Sequence, residues 1–256
     1  MSSIFEHSES SIPNQFNKKK IKKIAKEQHV EMMTHDIKTR LQALLADSEN
    51  ILIAIDKTQD VAPEISGGVK DIYNGIWRLN NVLQNLSYSL GDRSYLFGLH
   101  SLEEIIYRSI QLYSMEADRK NIDFSVNIYE PLVIECSIVH MSLLFNNLIS
   151  NAVKYSIAGE ENKPRYVRIV GKYDNNLCEV SIYNTGIGIE ESEFDSIFEK
   201  WTRGSHARTT EIAGTGLGLY ISNDIVKRHG GELSISSKKD HDYNITRVLI
   251  HLPRHQ

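Results

Sequence analysis

Thr34-His35-Asp36-Ile37-Lys38-Thr39-Arg40-Leu41 sits inside an apolar repeat: Val30, Met33, Ile37, Leu41, Leu44, Ser48, Ile51 and Ile55. The steps are 3, 4, 4, 3, 4, 3 and 4, the spacing of a helix that packs along one seam. At about 100° per residue all these positions fall within about 40° of one direction, and His35 lies about 160° away. The helix therefore holds His35 toward solvent, with Asp36 and Lys38 flanking it and Thr39 one turn on. A histidine held clear of its packing seam, beside a carboxylate and a hydroxyl, is placed to react with something large. A solvated surface histidine is the plain alternative.

A second repeat follows a connection over Asp56 to Glu64 that contains Pro63. Ile65, Val69, Ile72, Ile76, Leu79, Leu83, Leu86 and Leu90 form an unbroken heptad pattern ended by Gly91. Two heptad helices joined by a short loop make an antiparallel hairpin. A lone hairpin leaves its seams uncovered, whereas two copies make a four-helix bundle with every seam inside. The expectation is a homodimer. The alternative is that the hairpin packs on the C-terminal domain of its own chain.

The segment ahead of the hairpin is read as a loose tail over residues 1–17, rich in Ser, Asn and Glu. A lysine cluster follows: Lys18, Lys19, Lys20, Lys22 and Lys23. Ile21 and Ile24 are out of phase with the seam, so a kink or separate element is expected near Lys26 to His29. Residues 18–98 then form the helical hairpin unit and 99–256 a second domain.

The chain has 256 residues and a net charge of −4, with no global pull toward nucleic acid or membrane. No apolar run reaches the roughly 18 residues of a transmembrane helix, and no signal-peptide pattern opens the sequence. Cys136 and Cys178 form no ligand or redox motif, and the ten histidines show no metal spacing. A cytoplasmic protein is expected.

From Ser101 the pattern changes. Ser101 and Glu104 make a capping box for a helix to about Lys120. Strands are expected at Ile122 to Ile128 and Leu132 to Glu135, then a helix at Ser137 to Ser156. A hairpin pairs Tyr166 to Tyr173 with Leu177 to Tyr183 across Asp174-Asn175-Asn176. A helix near Glu190 to Glu199, a polar segment Trp201 to Ala213, a helix Thr215 to His229 and a final strand pair, Glu232 to Ser237 with Tyr243 to Leu252, complete the domain. This order indicates an α+β sandwich, one mixed sheet with helices on one face.

Three stretches of this domain carry chemistry. Asn147, Asn151 and Lys154 share one helical face, with Tyr155 beside them. Carboxamide oxygens suit Mg²⁺ held together with phosphates, and an ammonium suits the phosphates themselves. Tyr155 is suited to lie against a planar base. Read alone, the stretch is better taken as an ordinary polar helix face. Asn184-Thr185-Gly186-Ile187-Gly188-Ile189 ends a strand, and its glycines let backbone approach a ligand. Gly214-Thr215-Gly216-Leu217-Gly218-Leu219 opens a helix whose free N–H groups suit phosphates. It lacks the βαβ setting of a dinucleotide fingerprint. Between the glycine stretches, Lys200, Arg203, Ser205, Thr209 and Thr210 mark a polar segment suited to a lid.

In this order and spacing the stretches resemble the sensor histidine kinases of two-component signalling. His35-Asp36-Ile37-Lys38-Thr39 resembles their phosphoacceptor box, Asn147 to Ser156 the N box and Asn184 to Ile189 the G1 box. Phe194 to Arg203 resembles the F box and Gly214 to Leu219 the G2 box. The resemblance covers roughly residues 30–252. It implies a dimeric helical bundle followed by the Bergerat-type ATP-binding sandwich shared with gyrase, Hsp90 and MutL, with ATP and Mg²⁺ as cofactors. It implies that Asn151 ligates Mg²⁺ with Asn147 in support, and that Lys154 and Arg203 face phosphates. Tyr155 would lie near adenine. Gly186, Gly188, Gly214, Thr215, Gly216, Leu217 and Gly218 would shape the pocket.

By the same resemblance His35 takes the γ-phosphoryl group, Asp36 orients its imidazole, and Thr39 serves a phosphatase reaction on the receiver domain of a response regulator. Two residues depart from the pattern. Arg40 stands where the family has proline, and Asn184 where it has an aspartate that reads the adenine amino group. No sensor domain is visible, so input would come through the N-terminus or a sensory partner protein. Two rival readings are a phosphotransfer or scaffold protein with a degenerate nucleotide site, and an ATPase of the same superfamily that phosphorylates nothing.

Overall fold

The computed structural model describes residues 37–255 except 56, 59–61, 92–93, 157–164, 211–213 and 241–242. His35, Asp36, Val30, Met33, the lysine cluster and the break expected near residues 26–29 lie outside the described residues.

Helix α1 is described from residue 37 and runs without interruption to 55, through Arg40 where the family has proline. Helix α2 is Pro63–Leu90, with proline in its first turn, where a missing N–H costs nothing. Gly91, at φ 122°, ends it, with its N–H donating to Tyr88 O. The two helices close through Leu41 and Leu45 against Ile76, with Tyr73, Trp77 and Leu83 around them. This differs from the single seam read in the sequence. Ile37, Leu44 and Ile51 on α1, and Ile65, Ile72 and Leu79 on α2, remain exposed. Leu45, one residue off the repeat, is buried instead. The apolar stripe is wider than one helix–helix contact, so one edge closes the hairpin and the other stays open.

The second domain begins at β1 (Gly98–Ser101). Helix α3 (Leu102–Arg119) is capped as expected, with Ser101 Oγ accepting from Glu104 N–H at 3.3 Å. Then come β2 (Asp123–Ile128), β3 (Val133–Cys136) and α4 (Ile138–Tyr155). The hairpin strands are β4 (Tyr166–Asp174) and β5 (Leu177–Gly186), and Asn175 takes positive φ at their turn. A short helix α5 (Ser205–Thr209), helix α6 (Gly218–Arg228) and strands β6 (Glu232–Asp240) and β7 (Tyr243–Pro253) follow.

The main sheet has the order β2-β4-β5-β7-β6, parallel only between β2 and β4. The pair β1-β3 forms a separate two-stranded sheet rather than part of one mixed sheet. Helices α3, α4 and α6 cover the main sheet. Val167, Ile169, Cys178, Val180, Ile182, Ile250 and Leu252 make the sheet's contribution to the core, and Leu144, Phe145, Leu148 and Ile149 that of α4.

Two expected helices are shorter or broken. The segment over Glu190 to Glu199 is a pair of 3₁₀ turns, Glu191–Glu193 and Ser196–Phe198, of which only Ile197 is fully buried. With so little apolar anchorage, a helix of that length has little to offset its nucleation cost. The helix expected from Thr215 begins at Gly218 because Gly216 sits at φ 69°, outside helical space.

Candidate functional site

Residues 178, 180, 182 and 184 of β5 share one face of the sheet, the face toward the helices. The first three are apolar and end in the core. Asn184, at the end of that row, opens instead onto a cavity of about 790 Å³, within the range of nucleotide-sized sites. The cavity is walled by α4, the end of β5, the segment before α6 and one face of α2.

At the β5 end, Asn184 is opposite Thr246 of β7, and both are buried. Asn184 Nδ2 donates to Thr185 O at 3.2 Å. Ile182, Ile187, Ile189, Ile235 and Val248 supply flat apolar walls suited to a base. Gly186 supports this end without lining it, because a Cβ there would collide with Tyr155 O. Gly188, at φ 73°, packs against Asn244, whose Nδ2 donates to Ile187 O.

At the α6 end, the elements converge on glycines. A Cβ on Gly214 would lie 2.7 Å from Lys154 Nζ, 3.6 Å from Tyr155 Oη and 3.9 Å from Arg203 Nε. A Cβ on Gly218 would lie 3.8 Å from both Asn147 Cγ and Asn151 Nδ2. Two cations, two carboxamides and the N-terminus of an 11-residue helix therefore face one region. That combination favours a polyphosphate. Thr215 Oγ1 accepts from Leu217 N–H at 3.3 Å and shapes the turn. Leu217 itself is buried in the core and does not line the cavity.

The donor set also bears on a metal. Asn147 and Asn151 are neutral oxygen donors, and no cluster of three or more His, Cys, Asp or Glu among the described residues suits an ion. Such a site fits a hard cation only when phosphates supply the charge, as Mg²⁺ bound with a nucleotide would have.

The polar segment after Trp201 is held beside the cavity. Trp201 N–H donates to Gly216 O, and Arg203 donates to Ala207 O at 2.6 Å. Glu193 receives Ser205 N–H at 2.8 Å and Ser205 Oγ at 3.0 Å, which fixes the start of α5.

Of the expected nucleotide residues, the structure gathers Asn147, Asn151, Lys154, Tyr155, Asn184, Gly188, Arg203, Gly214, Thr215, Gly216 and Gly218 around one cavity. Thr39 lies on the exposed surface of α1, outside it. Sequence reasoning missed Thr246, which arrives from a distant strand. It also missed Arg78, Asn81, Val82 and Asn85 of α2, which complete the wall. Their spacing of 3, 1 and 3 puts these four on one helical face, a signal that was present in the sequence.

Residues 137–256 match the family of histidine kinase-, DNA gyrase B- and HSP90-like ATPases. The autoinducer 2 sensor kinase/phosphatase LuxQ of Vibrio vulnificus is 29% identical over 222 residues, covering 80% of this chain and 24% of that protein. The histidine protein kinase SaeS of Staphylococcus aureus is 25% identical over 249 residues, covering 96% of this chain and 69% of that one. The chain thus spans about a quarter of LuxQ's length. Among solved structures, histidine kinase ThkA in complex with response regulator protein TrrA matches with a TM-score of 0.51 at 20% identity. That match covers 92% of this chain and 66% of the ThkA chain, and it is a likeness of fold.

Proposed function

We propose that this homologue of the sensor histidine kinases, with its ATPase domain over residues 137–256, is an ATP-dependent histidine autokinase. It transfers the γ-phosphoryl group to His35 and then to an aspartate of a response-regulator receiver domain. The observation that carries this reading is the convergence of Lys154, Arg203, Asn147 and Asn151 on the N-terminus of α6. Phosphoryl transfer is mostly positioning and charge neutralisation, and these groups supply both.

The roles divide along the cavity. Asn184 and Thr246 address the base between the isoleucine walls. Tyr155 stands between the two ends, its carbonyl against Gly186 and its hydroxyl beside Gly214, and Lys154 and Arg203 neutralise phosphate oxygens. Asn151 would hold Mg²⁺, with Asn147 in support, and the ion would supply charge neutralisation at the phosphates. Gly186, Gly188, Gly214, Gly216 and Gly218 allow close backbone approach. At the other reaction partner, a ring nitrogen of His35 attacks the γ-phosphorus as the bond to the ADP oxygen breaks. Asp36 takes or orients the imidazole proton, so that the attacking nitrogen is unprotonated.

The exposed apolar rows of α1 and α2 support a homodimer in which a second copy covers them. Thr39, four residues after His35 in the sequence, would align a water for dephosphorylating the receiver. LuxQ's name, sensor kinase/phosphatase, is in keeping with transfer to the receiver and hydrolysis from it, and the ThkA–TrrA complex with a response-regulator partner. No described helix is long and apolar enough to cross a membrane, which fits a cytoplasmic chain that receives its input from a sensory partner.

Incubation with Mg²⁺ and γ-labelled ATP tests the proposal. The chain should acquire acid-labile, alkali-stable label that moves to a receiver domain. ATP binding or hydrolysis without such label would replace the kinase with an ATPase of the same superfamily.

A further inference from the structure

Helix α2 carries two stripes. The apolar one is Ile65, Val69, Ile72, Ile76, Leu79, Leu83, Leu86 and Leu90. The other is Asn74, Arg78, Asn81, Asn85 and Tyr88, with steps of 4, 3, 4 and 3. At about 100° per residue the two lie on opposite sides of the helix. The second stripe faces the second domain; its contacts are polar from Asn74 to Asn85, and Tyr88 at its end is buried in that domain's core, edge-on to His140 at 5.6 Å. Arg119 of α3 holds the carboxylate of Asp71, beside the stripe, at 2.5 and 2.6 Å. Asn74 Nδ2 donates to Met115 Sδ at 3.0 Å, Arg78 pairs with Glu116 at 3.4 Å, and Asn81 Nδ2 donates to Tyr113 Oη at 3.3 Å. Tyr88 donates to Asp224 of α6 at 2.7 Å.

Asn85 differs from the rest because of what it holds. Its Nδ2 donates to Asn147 Oδ1 at 2.8 Å, and Asn147 Nδ2 donates back to Asn85 Oδ1 at 2.9 Å. Both residues are buried. The single carboxamide oxygen of Asn147 is therefore engaged by α2. That reciprocal pair sets the orientation of the Asn147 amide, and drawing its oxygen to a cation elsewhere in the cavity would weaken the pair.

We propose that Asn85 is an internal competitor for Asn147, so that docking of α2 on the ATPase domain and loading of the site with a metal–nucleotide oppose each other. The inference rests on the reading that Asn147 serves the metal–triphosphate end of the cavity. From Asp71 to Asn85 the interface consists of small polar contacts, like those between domains that move, and it separates at modest cost while Tyr88 stays in the core as the pivot. Metal–nucleotide binding draws Asn147 away, releases Asn85, and frees the hairpin to bring its own histidine to the nucleotide. By linkage, whatever pulls α2 off the domain from the hairpin side raises affinity for metal–nucleotide by the same factor. Asn85 is thus a positioning residue that couples the hairpin to the pocket.

Calorimetry on the full chain tests this with AMPPNP as the probe, in Mg²⁺ and in EDTA, on wild type, Asn85→Ala and Asp71→Ala. Alanine is the better helix former, so Asn85→Ala keeps α2 intact. Two neutral hydrogen bonds correspond to about tenfold in an equilibrium. Asn85→Ala should bind Mg–AMPPNP up to about tenfold more tightly, with a smaller change in EDTA. Asp71→Ala, remote from the pocket, should tighten Mg–AMPPNP binding by loosening the dock, again with a smaller change in EDTA. A change confined to Mg²⁺ is one that a merely structural role for Asn85 would not produce.

A second measurement uses nitroxides at Lys70→Cys and Gln111→Cys, both exposed, with the native cysteines fully buried. Saturating Mg–AMPPNP should lengthen that distance in wild type. Unchanged or weaker Mg–AMPPNP affinity in Asn85→Ala, or an unmoved distance, would overturn the competition while leaving the kinase reading in place. Failure of all three proteins to bind nucleotide would instead overturn the proposed function, and the competition with it.

Discussion

Asn184 Nδ2 donates to the carbonyl oxygen of the next residue, Thr185, at 3.2 Å, and this leaves Asn184 Oδ1 as the amide's acceptor at the cavity wall. An acceptor there suits the amino group of adenine rather than the carbonyl oxygen of guanine. Ser156 Oγ donates to the same Thr185 carbonyl at 2.7 Å, so that oxygen stays satisfied when Asn184 is changed.

Replacing Asn184 with leucine should weaken ATP binding by about 1–3 kcal/mol, because the amino group is then buried unpaired. Asn184→Asp should tighten it several-fold, about 1 kcal/mol, through a charge-assisted bond. Calorimetry with ATP and GTP reads both effects. A leucine variant that binds ATP like wild type would mean that Asn184 does not read the base.

Gly186 has no room for a side chain against Tyr155 O, which is backbone and cannot turn aside. Gly186→Ala should therefore cost roughly 1–3 kcal/mol of stability and shift the end of α4 that carries Lys154. Urea titration followed by circular dichroism measures the loss. Wild-type stability in this variant would contradict the close approach of β5 to α4.

Leu79 is 57% exposed on the open apolar edge of α2. In a dimer, Leu79→Glu would bury an unpaired charge at a cost of several kcal/mol. Sedimentation should give a dimer for wild type and a monomer for the variant. A wild-type chain that remains a monomer at tens of micromolar would remove the bundle from the account.

Burial holds His229 below its ordinary value, partly offset by its bond to Ile225 O. Its Nε2 accepts from Ser137 N–H at 3.1 Å, which requires the neutral ring. The unfolded chain takes up this proton near pH 6.5, while the folded chain resists it until lower pH. Stability from this residue is therefore complete above about pH 6.5 and falls as the pH drops below it. Urea midpoints from pH 7.5 to 5 should decline, and His229→Gln should flatten the decline.

Much of this was legible because glycine and asparagine mark backbone and ligand chemistry directly. The positions from Asn147 to Tyr155 and from Asn184 to Gly188 were readable as a nucleotide site and meet around one cavity. Thr246 was not legible, because only strand pairing places it beside Asn184. The polar stripe of α2 was readable by its period, but the apolar heptads on the other side drew the reading toward the bundle. Docking on the ATPase domain and an open apolar edge coexist in the structure because they use opposite faces of one helix. Leu45 escaped for a related reason: a repeat records the centre of a stripe, and helix crossing decides which edge is buried.

His35 is the residue proposed to receive the phosphoryl group. The most direct measurement is mapping the acid-labile phosphate by mass spectrometry after incubation with Mg–ATP, alongside the same assay on His35→Gln. Phosphate should map to His35 in the wild type, and a His35→Gln chain should carry no label while still binding ATP with wild-type affinity. Normal labelling of His35→Gln, or phosphate mapped to another residue, would contradict that assignment.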